Sequence, residues 1–173
     1  MEGVEASDIG WRHERVTGQD NDHLVNAFIQ RVKRKFPKTL LQFEDLTQSH
    51  ATPLLARYRD QLCTFNDDIQ GTGAVALAGC LNACRLKEQP FGEQVFVIHG
   101  AGAGGIGVAA AIVDGLQNEG LSEEEALGRV FVLDSRGLLL SDRKMEAYKQ
   151  RFAQPRARIA DWSFEGAAPG LRN

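Results

Sequence analysis

Residues 94–107 run Gln-Val-Phe-Val-Ile-His-Gly-Ala-Gly-Ala-Gly-Gly-Ile-Gly, and this stretch limits the possible folds more than any other. Val95-Phe96-Val97-Ile98 is a β-branched and aromatic run of strand length. It leads straight into glycines, and Val108 to Leu116 continues as a helix of small and apolar residues. Gly100, Gly102 and Gly105 fall at the spacing Gly-x-Gly-x-x-Gly, in the strand-turn-helix setting that makes this spacing meaningful. Each glycine has a physical task in such a turn. Gly100 permits the tight reversal, Gly102 lets backbone approach a pyrophosphate, and Gly105 or Gly107 allows helix and strand to pack closely. The N-terminus of the helix that follows the glycines would then present free N–H groups and its positive end to phosphate oxygens. Gly100, Gly102, Ala103 and Gly105 are therefore the candidate cofactor-binding residues. The plainer alternative is a glycine-rich turn without a ligand.

A second strand, Val130-Phe131-Val132-Leu133, ends in Asp134. Before it, Asn118-Glu119-Gly120 closes the helix and Ser122-Glu123-Glu124-Glu125 reads as a capping box. A dinucleotide site wants a carboxylate for the adenosine ribose hydroxyls at the end of this strand. Asp134 either fills that role or is an ordinary strand-end acid. The neighbouring Ser135 and Arg136 complicate the choice, because an arginine there can hold a 2′-phosphate, and Lys149 is a second basic candidate. NAD and NADP both stay open.

Upstream, Leu40-Leu41-Gln42-Phe43 closes on Glu44-Asp45, and Leu62-Cys63-Thr64-Phe65 leads through Asn66 to Asp67-Asp68. Between them, Leu54, Leu55 and Tyr58 recur at helical spacing. The pattern is strand, acid pair, helix, strand, acid pair. Parallel neighbouring strands would put both pairs at one carboxyl edge, where open α/β sheets bind ligands. Converging carboxylates repel one another unless a cation lies among them, and an all-oxygen set suits Mg²⁺ or Mn²⁺. Two solvated acidic turns or helix caps are the alternative.

The chain has 173 residues with a net charge of −3, and no basic face stands out, which disfavours nucleic acid and anionic membrane as partners. Its apolar runs are too short to span a bilayer and no signal region opens it, so no membrane partner is expected. Cys63, Cys80 and Cys84 are an odd set that makes no disulfide framework, which favours a cytoplasmic location. Cys80 and Cys84 lack companions for a zinc set and read as small helix residues. A helix is expected over 22–36, with Leu24, Val25, Phe28, Ile29, Val32 and Phe36 as its apolar stripe and a basic last turn. Pro37 stops it, and a strand follows over 39–43. Residues 71–86 predict a long Ala- and Gly-rich helix, and 143–158 a basic segment of helical character. Residues 1–18 and 163–173 carry no clear periodicity.

Phe43-Glu44-Asp45, Leu54-Leu55-x-Arg57-Tyr58-Arg59 and Phe65-Asn66-Asp67-Asp68-Ile69-Gln70-Gly71-Thr72 together resemble the malic enzymes. The glycine turn, Gly120-Leu121-Ser122-Glu123-Glu124 and Asp134-x-x-Gly137-Leu138-Leu139 follow in the family's order, and the tone is that of the bacterial, large-subunit, NAD-linked type. The resemblance implies an α/β chain: the last part of a catalytic α/β domain over 1–66, then a truncated Rossmann-like dinucleotide-binding domain over 67–173. It implies oxidative decarboxylation of L-malate to pyruvate and CO₂ with reduction of NAD or NADP. It also implies a Mg²⁺ or Mn²⁺ held by Glu44, Asp45 and Asp68, and a parent enzyme that is a homo-oligomer. The family's catalytic Lys and Tyr belong to segments upstream of this sequence, so no residue here inherits those roles, Lys33, Lys35, Lys38 and Tyr58 included. The expectation is an internal fragment, inactive alone. A non-catalytic dinucleotide-binding module is the alternative, and a chain without a stable fold a third.

Overall fold

The computed structural model describes Val16, residues 18–46 and residues 48–162, so the unpatterned stretches over 1–15 and 163–173 lie outside the described residues. The chain divides into two compact units, Met1–Leu41 and Gln42–Asn173. In the first, α1 spans Gly18–Lys35, with Asp20 in its first turn and Lys33, Arg34 and Lys35 in its last. Both placements complement the helix dipole. The expected apolar stripe is not a buried face: Ile29 is fully buried, but Leu24, Phe28 and Phe36 are each more than half exposed. The helix period is present, yet period alone does not supply a covering surface. Past α1, the Thr39 amide donates to the Phe36 carbonyl in a turn, which delays the expected strand until Leu41.

β1 (Leu41–Phe43) begins at the last residue of the first unit; α2 (Gln48–Tyr58) and β2 (Thr64–Asn66) follow in the second, and the two strands pair in a sheet of their own. Ala51, Leu54, Leu55 and Tyr58 form the buried side of α2, at the spacing read from the sequence. After β2 the chain makes a π-helical turn, Asp67–Gly71, and only then α3 (Thr72–Leu86). The sequence pattern missed the π-turn, which adds one residue to each hydrogen-bonded loop without changing composition.

The larger sheet has the order β3-β4-β5. β3 (Phe96–His99) pairs in parallel with β4 (Val130–Asp134), from Phe96 opposite Val130 to His99 opposite Leu133. α4 (Ala103–Asn118) makes the crossover, followed by the short α5 (Glu123–Leu127). Ser122 and Glu125 cap α5 reciprocally, as their spacing requires. β4 alternates as a central strand must. Val130 and Val132 join Ile112, Val113, Leu116, Leu139 and Phe152 in the main core, whereas Phe131 joins Leu138, Leu140 and Ile159 on the other side. β5 (Gly137–Leu138) returns antiparallel to β4 as a tight hairpin. Beyond it the basic segment is mostly irregular, with one short helix, α6 (Ala147–Gln150), and a 3₁₀ turn at Arg156–Ile159. Gln154 anchors it: its buried amide donates to the carbonyls of Leu127 and Val130.

Small residues let α3 lie close to α4. A Cβ on Gly73 would come 2.6 Å from the Gly107 carbonyl oxygen, and one on Gly115 would come 2.7 Å from the Leu77 side chain. Cys80 and Cys84 pack half-buried along the same interface, and all three cysteines are free. Among the described residues, no helix is long and apolar enough to cross a membrane.

Candidate cofactor site

Gly100 adopts φ 125°, a conformation that side-chain-bearing residues rarely take, and it turns the chain from the end of β3 toward α4. Gly102 is the N-cap of α4 and supplies no side chain to its first turn. Its carbonyl accepts the Ile106 amide, the first bond of the helix. The open amides of that turn and the helix dipole together make an anion cradle. A Cβ on Gly100 or Gly102 would meet nothing within 4 Å, so the space over the turn is free for a phosphate. The pyrophosphate of a dinucleotide fits this cradle.

The remaining glycines have separate tasks. A Cβ on Gly105 would overlap the Gly100 carbonyl oxygen and lie 3.6 Å from the Ile98 side chain, so Gly105 closes the helix against the strand end. A Cβ on Gly107 would overlap the Ile69 carbonyl oxygen instead. Gly107 thus seats the π-turn on α4, which the motif alone does not indicate. A Cβ on Gly104 would lie 3.7 Å from the Asp68 carbonyl oxygen and 3.6 Å from the Thr72 methyl. The start of α4 and the acidic string are therefore neighbours.

Asp134, at the carboxyl end of β4, is 7% exposed. One of its oxygens accepts the Arg136 amide at 2.8 Å. The other accepts from Arg143 at 2.7 Å and Lys149 at 3.4 Å. Burial pushes this carboxyl up, but the Arg136 amide, Arg143 and Lys149 together outweigh burial and hold it below the ordinary aspartate range. Burial likewise pulls Lys149 down, and its bonds to Glu146 and Asp134 outweigh that and raise it. Of the two basic side chains that could hold a 2′-phosphate, Lys149 is engaged by carboxylates and Arg136 is exposed with a single bond to a carbonyl. Lys149 is tied to Asp134 and Glu146, and the Arg136 guanidinium donates to the Lys144 carbonyl. Ser135 is exposed beside them. Sequence reasoning missed Arg143, which lies nine residues beyond Asp134 and whose Nε and Nη1 are buried without a partner among the described residues.

The acid residues are only partly brought together. The Asp45 amide donates to Asp68 Oδ2 at 2.9 Å, across 23 residues. Asp45 has φ 52°, a left-handed conformation that aspartate tolerates better than most residues. Glu44 turns back on its own strand, where its carboxylate accepts from Gln42 Nε2 at 2.6 Å. Among the described residues, no three His, Cys, Asp or Glu side chains converge as a metal set. The oxygen chemistry of Glu44, Asp45 and Asp68 suits a hard cation, but their arrangement does not form a cage for one. Asn66, fully buried, stabilises the string: its side-chain oxygen accepts the Ile69 amide, and its backbone N–H donates to the Gln70 side-chain oxygen. A cleft of about 310 Å³ lies at the far end of α3, lined by Leu81, Cys84, Phe91 and Glu119, away from the glycine turn.

The order of these parts matches known proteins. The family model for the malic enzyme NAD-binding domain matches residues 69–171, and that for the malic enzyme N-terminal domain matches residues 5–59. An NAD-dependent malic enzyme of Pseudomonas aeruginosa is 48% identical over 155 residues, which are 89% of this chain and 28% of that protein. One from Sodalis glossinidius is 46% identical over 166 residues, 95% of this chain and 29% of that protein. This chain thus spans less than a third of those relatives. Among solved structures, the Entamoeba histolytica malic enzyme superposes with a TM-score of 0.61 at 27% identity, covering 78% of this chain and 26% of its own. The NAD-dependent malic enzyme of Thermotoga maritima, at 22% identity and a TM-score of 0.62 over 83% of this chain and 37% of its own, shares the fold. With both domain models matched in sequence order, and the glycine turn and acidic string adjoining in the structure, the chain belongs to the malic enzyme family.

Proposed function

We propose that this chain carries the dinucleotide-binding part of an enzyme that oxidises L-malate to pyruvate and CO₂ while reducing NAD. The observation that carries this reading is the open cradle at Gly100 and Gly102 over the start of α4, next to the acidic string. A bound nicotinamide would supply the acceptor for the hydride that leaves C2 of the substrate. The amides at the start of α4 would hold the pyrophosphate. Asp134, at the carboxyl end of β4, would be the acceptor for the adenosine ribose hydroxyls, through lone pairs left beside the Arg136 amide, Arg143 and Lys149. NAD is the expected nucleotide, and Lys149, bonded to Asp134 and Glu146, is not free to hold a 2′-phosphate. The relatives named NAD-dependent agree with that choice.

Tyr58 is 1% exposed, within the α2 core, and does not present its hydroxyl to a substrate. We also propose binding without turnover. Calorimetric titration of the chain with NAD and with NADP, alongside a malate-dependent absorbance assay, tests both parts. The expected result is saturable NAD binding, at least tenfold weaker NADP binding and no turnover; absence of NAD binding would overturn the reading.

One observation favours a non-catalytic binding module: the three acid side chains do not converge. The same titration, repeated with Mn²⁺ and malate present, separates the two. Malate that tightens NAD binding supports the enzyme part, and malate with no effect supports the module.

A further inference from the structure

A carboxylate offers about four lone-pair sites, two on each oxygen. At Asp134 three of them are taken. Oδ2 accepts from Arg143 Nη2 at 2.7 Å and from Lys149 Nζ at 3.4 Å, and Oδ1 accepts the Arg136 amide at 2.8 Å. Asp134 is buried, and its carboxylate cannot turn Oδ2 outward without breaking both ion pairs. The two cations are not equivalent. Lys149 also holds Glu146 at 2.9 Å, whereas Asp134 is the one carboxylate that Arg143 meets among the described residues. Arg143 Nε and Nη1 are buried without a partner, and its backbone amide donates to the Leu140 carbonyl at 3.0 Å. Arg143 therefore reaches Asp134 from a fixed turn, with no second anion among the described residues to move to.

We propose that Arg143 is a positioning residue: together with Lys149 it fills Oδ2, leaving Asp134 a single open lone pair on Oδ1, so that the site reads one adenosine ribose hydroxyl rather than both. The inference rests on the reading of Asp134 as the ribose acceptor and narrows it. An aspartate with both oxygens open takes the 2′ and 3′ hydroxyls together. Here the second hydroxyl finds its partner elsewhere or in water. The bond that remains runs from a neutral hydroxyl to an ionised oxygen, and losing it weakens binding about tenfold or more.

The test is calorimetric titration of the full chain with NAD and with its 2′-deoxyadenosine and 3′-deoxyadenosine analogues. One analogue is expected to bind roughly tenfold more weakly than NAD, and the other within about twofold of it. Arg143→Met frees a lone pair on Oδ2 without adding a donor, so both analogues should then lose roughly tenfold relative to NAD. Arg143→Lys restores a donor and the charge, and should return the pattern of the original chain. A merely structural arginine would weaken all three nucleotides together and leave their ratios unchanged. Thermal melts on the same samples identify a variant that is not folded, and the comparison in the original chain stands without any variant. Equal losses for both analogues in the original chain would overturn the inference, as would unchanged ratios in a folded Arg143→Met. NAD binding with no loss for either analogue would overturn the ribose reading of Asp134, and this inference with it, while leaving the glycine cradle in place. Absence of NAD binding would overturn the cofactor reading on which both depend.

Discussion

The α-carbon of Gly107, in the second turn of α4, lies directly under the carbonyl of Ile69, in the middle of the π-turn. A Cβ on Gly107 would overlap that oxygen and come 2.7 Å from its carbon. This close approach packs the acidic string against the helix that starts the cofactor cradle.

Gly107→Ala should therefore destabilise the chain by about 2 kcal/mol, the scale of overpacking a close contact. The control is Gly104→Ala, whose Cβ would make only ordinary contacts at 3.6 and 3.7 Å. Urea denaturation followed by circular dichroism should show a lowered midpoint for the first variant and an unchanged one for the second. Equal midpoints would mean that the π-turn moves aside at little cost.

Gly102→Ala separates binding from folding. Gly102 has extended backbone that alanine also adopts, and its Cβ would meet nothing within 4 Å. Stability should stay within about 0.5 kcal/mol of the original. NAD affinity should fall roughly tenfold or more, because the methyl takes the space of the pyrophosphate. Calorimetry checks the second statement, and a variant binding NAD as tightly as the original would place the phosphates elsewhere.

Asp134→Asn should cost about 3 kcal/mol at neutral pH, since it leaves Arg143 and Lys149 without their shared anion in a buried setting. The folded-state pKa of Asp134 is lowered, so its contribution is fully present above the unfolded value of roughly 4 and disappears as pH falls through the lower folded value. The stability gap between the original and the variant should be constant between about pH 5 and 8 and narrow in acid below about pH 4. Lys149 works in the opposite direction: its raised pKa gives stability that is lost only as pH rises past its folded value, well above that window. A gap that stays constant into strong acid would contradict the ion-paired geometry.

Asn66→Ala removes the cap that accepts the Ile69 amide and should cost about 1–2 kcal/mol. Hydrogen exchange at Ile69 should accelerate in step with the loss of stability, while exchange in the core of β4 changes only through global unfolding. Unchanged protection at Ile69 would show that the π-turn holds without its cap.

Local order is legible in the chain. β3, the glycine turn and α4 follow from the run Val95 to Leu116, because apolar β-branched residues, turn glycines and a small-residue helix each act within a few positions. The capping box at Ser122 and Glu125 and the buried spacing of Leu54, Leu55 and Tyr58 are legible for the same reason. The α1 stripe shows the limit of such reading, since Leu24 and Phe28 have the right period and remain exposed.

By itself the sequence determined which residues turn, cap and pair locally, and it placed the chain among the malic enzymes through strings of consecutive residues. Only the tertiary structure decided where the long-range partners lie. It gave Asp134 the side chains of Arg143 and Lys149, turned Asp68 to the Asp45 amide, and set Gly107 against Ile69. Short-range pattern carries propensity and periodicity. The partner of a buried charge or of a glycine is fixed instead by close packing between segments that the sequence leaves far apart.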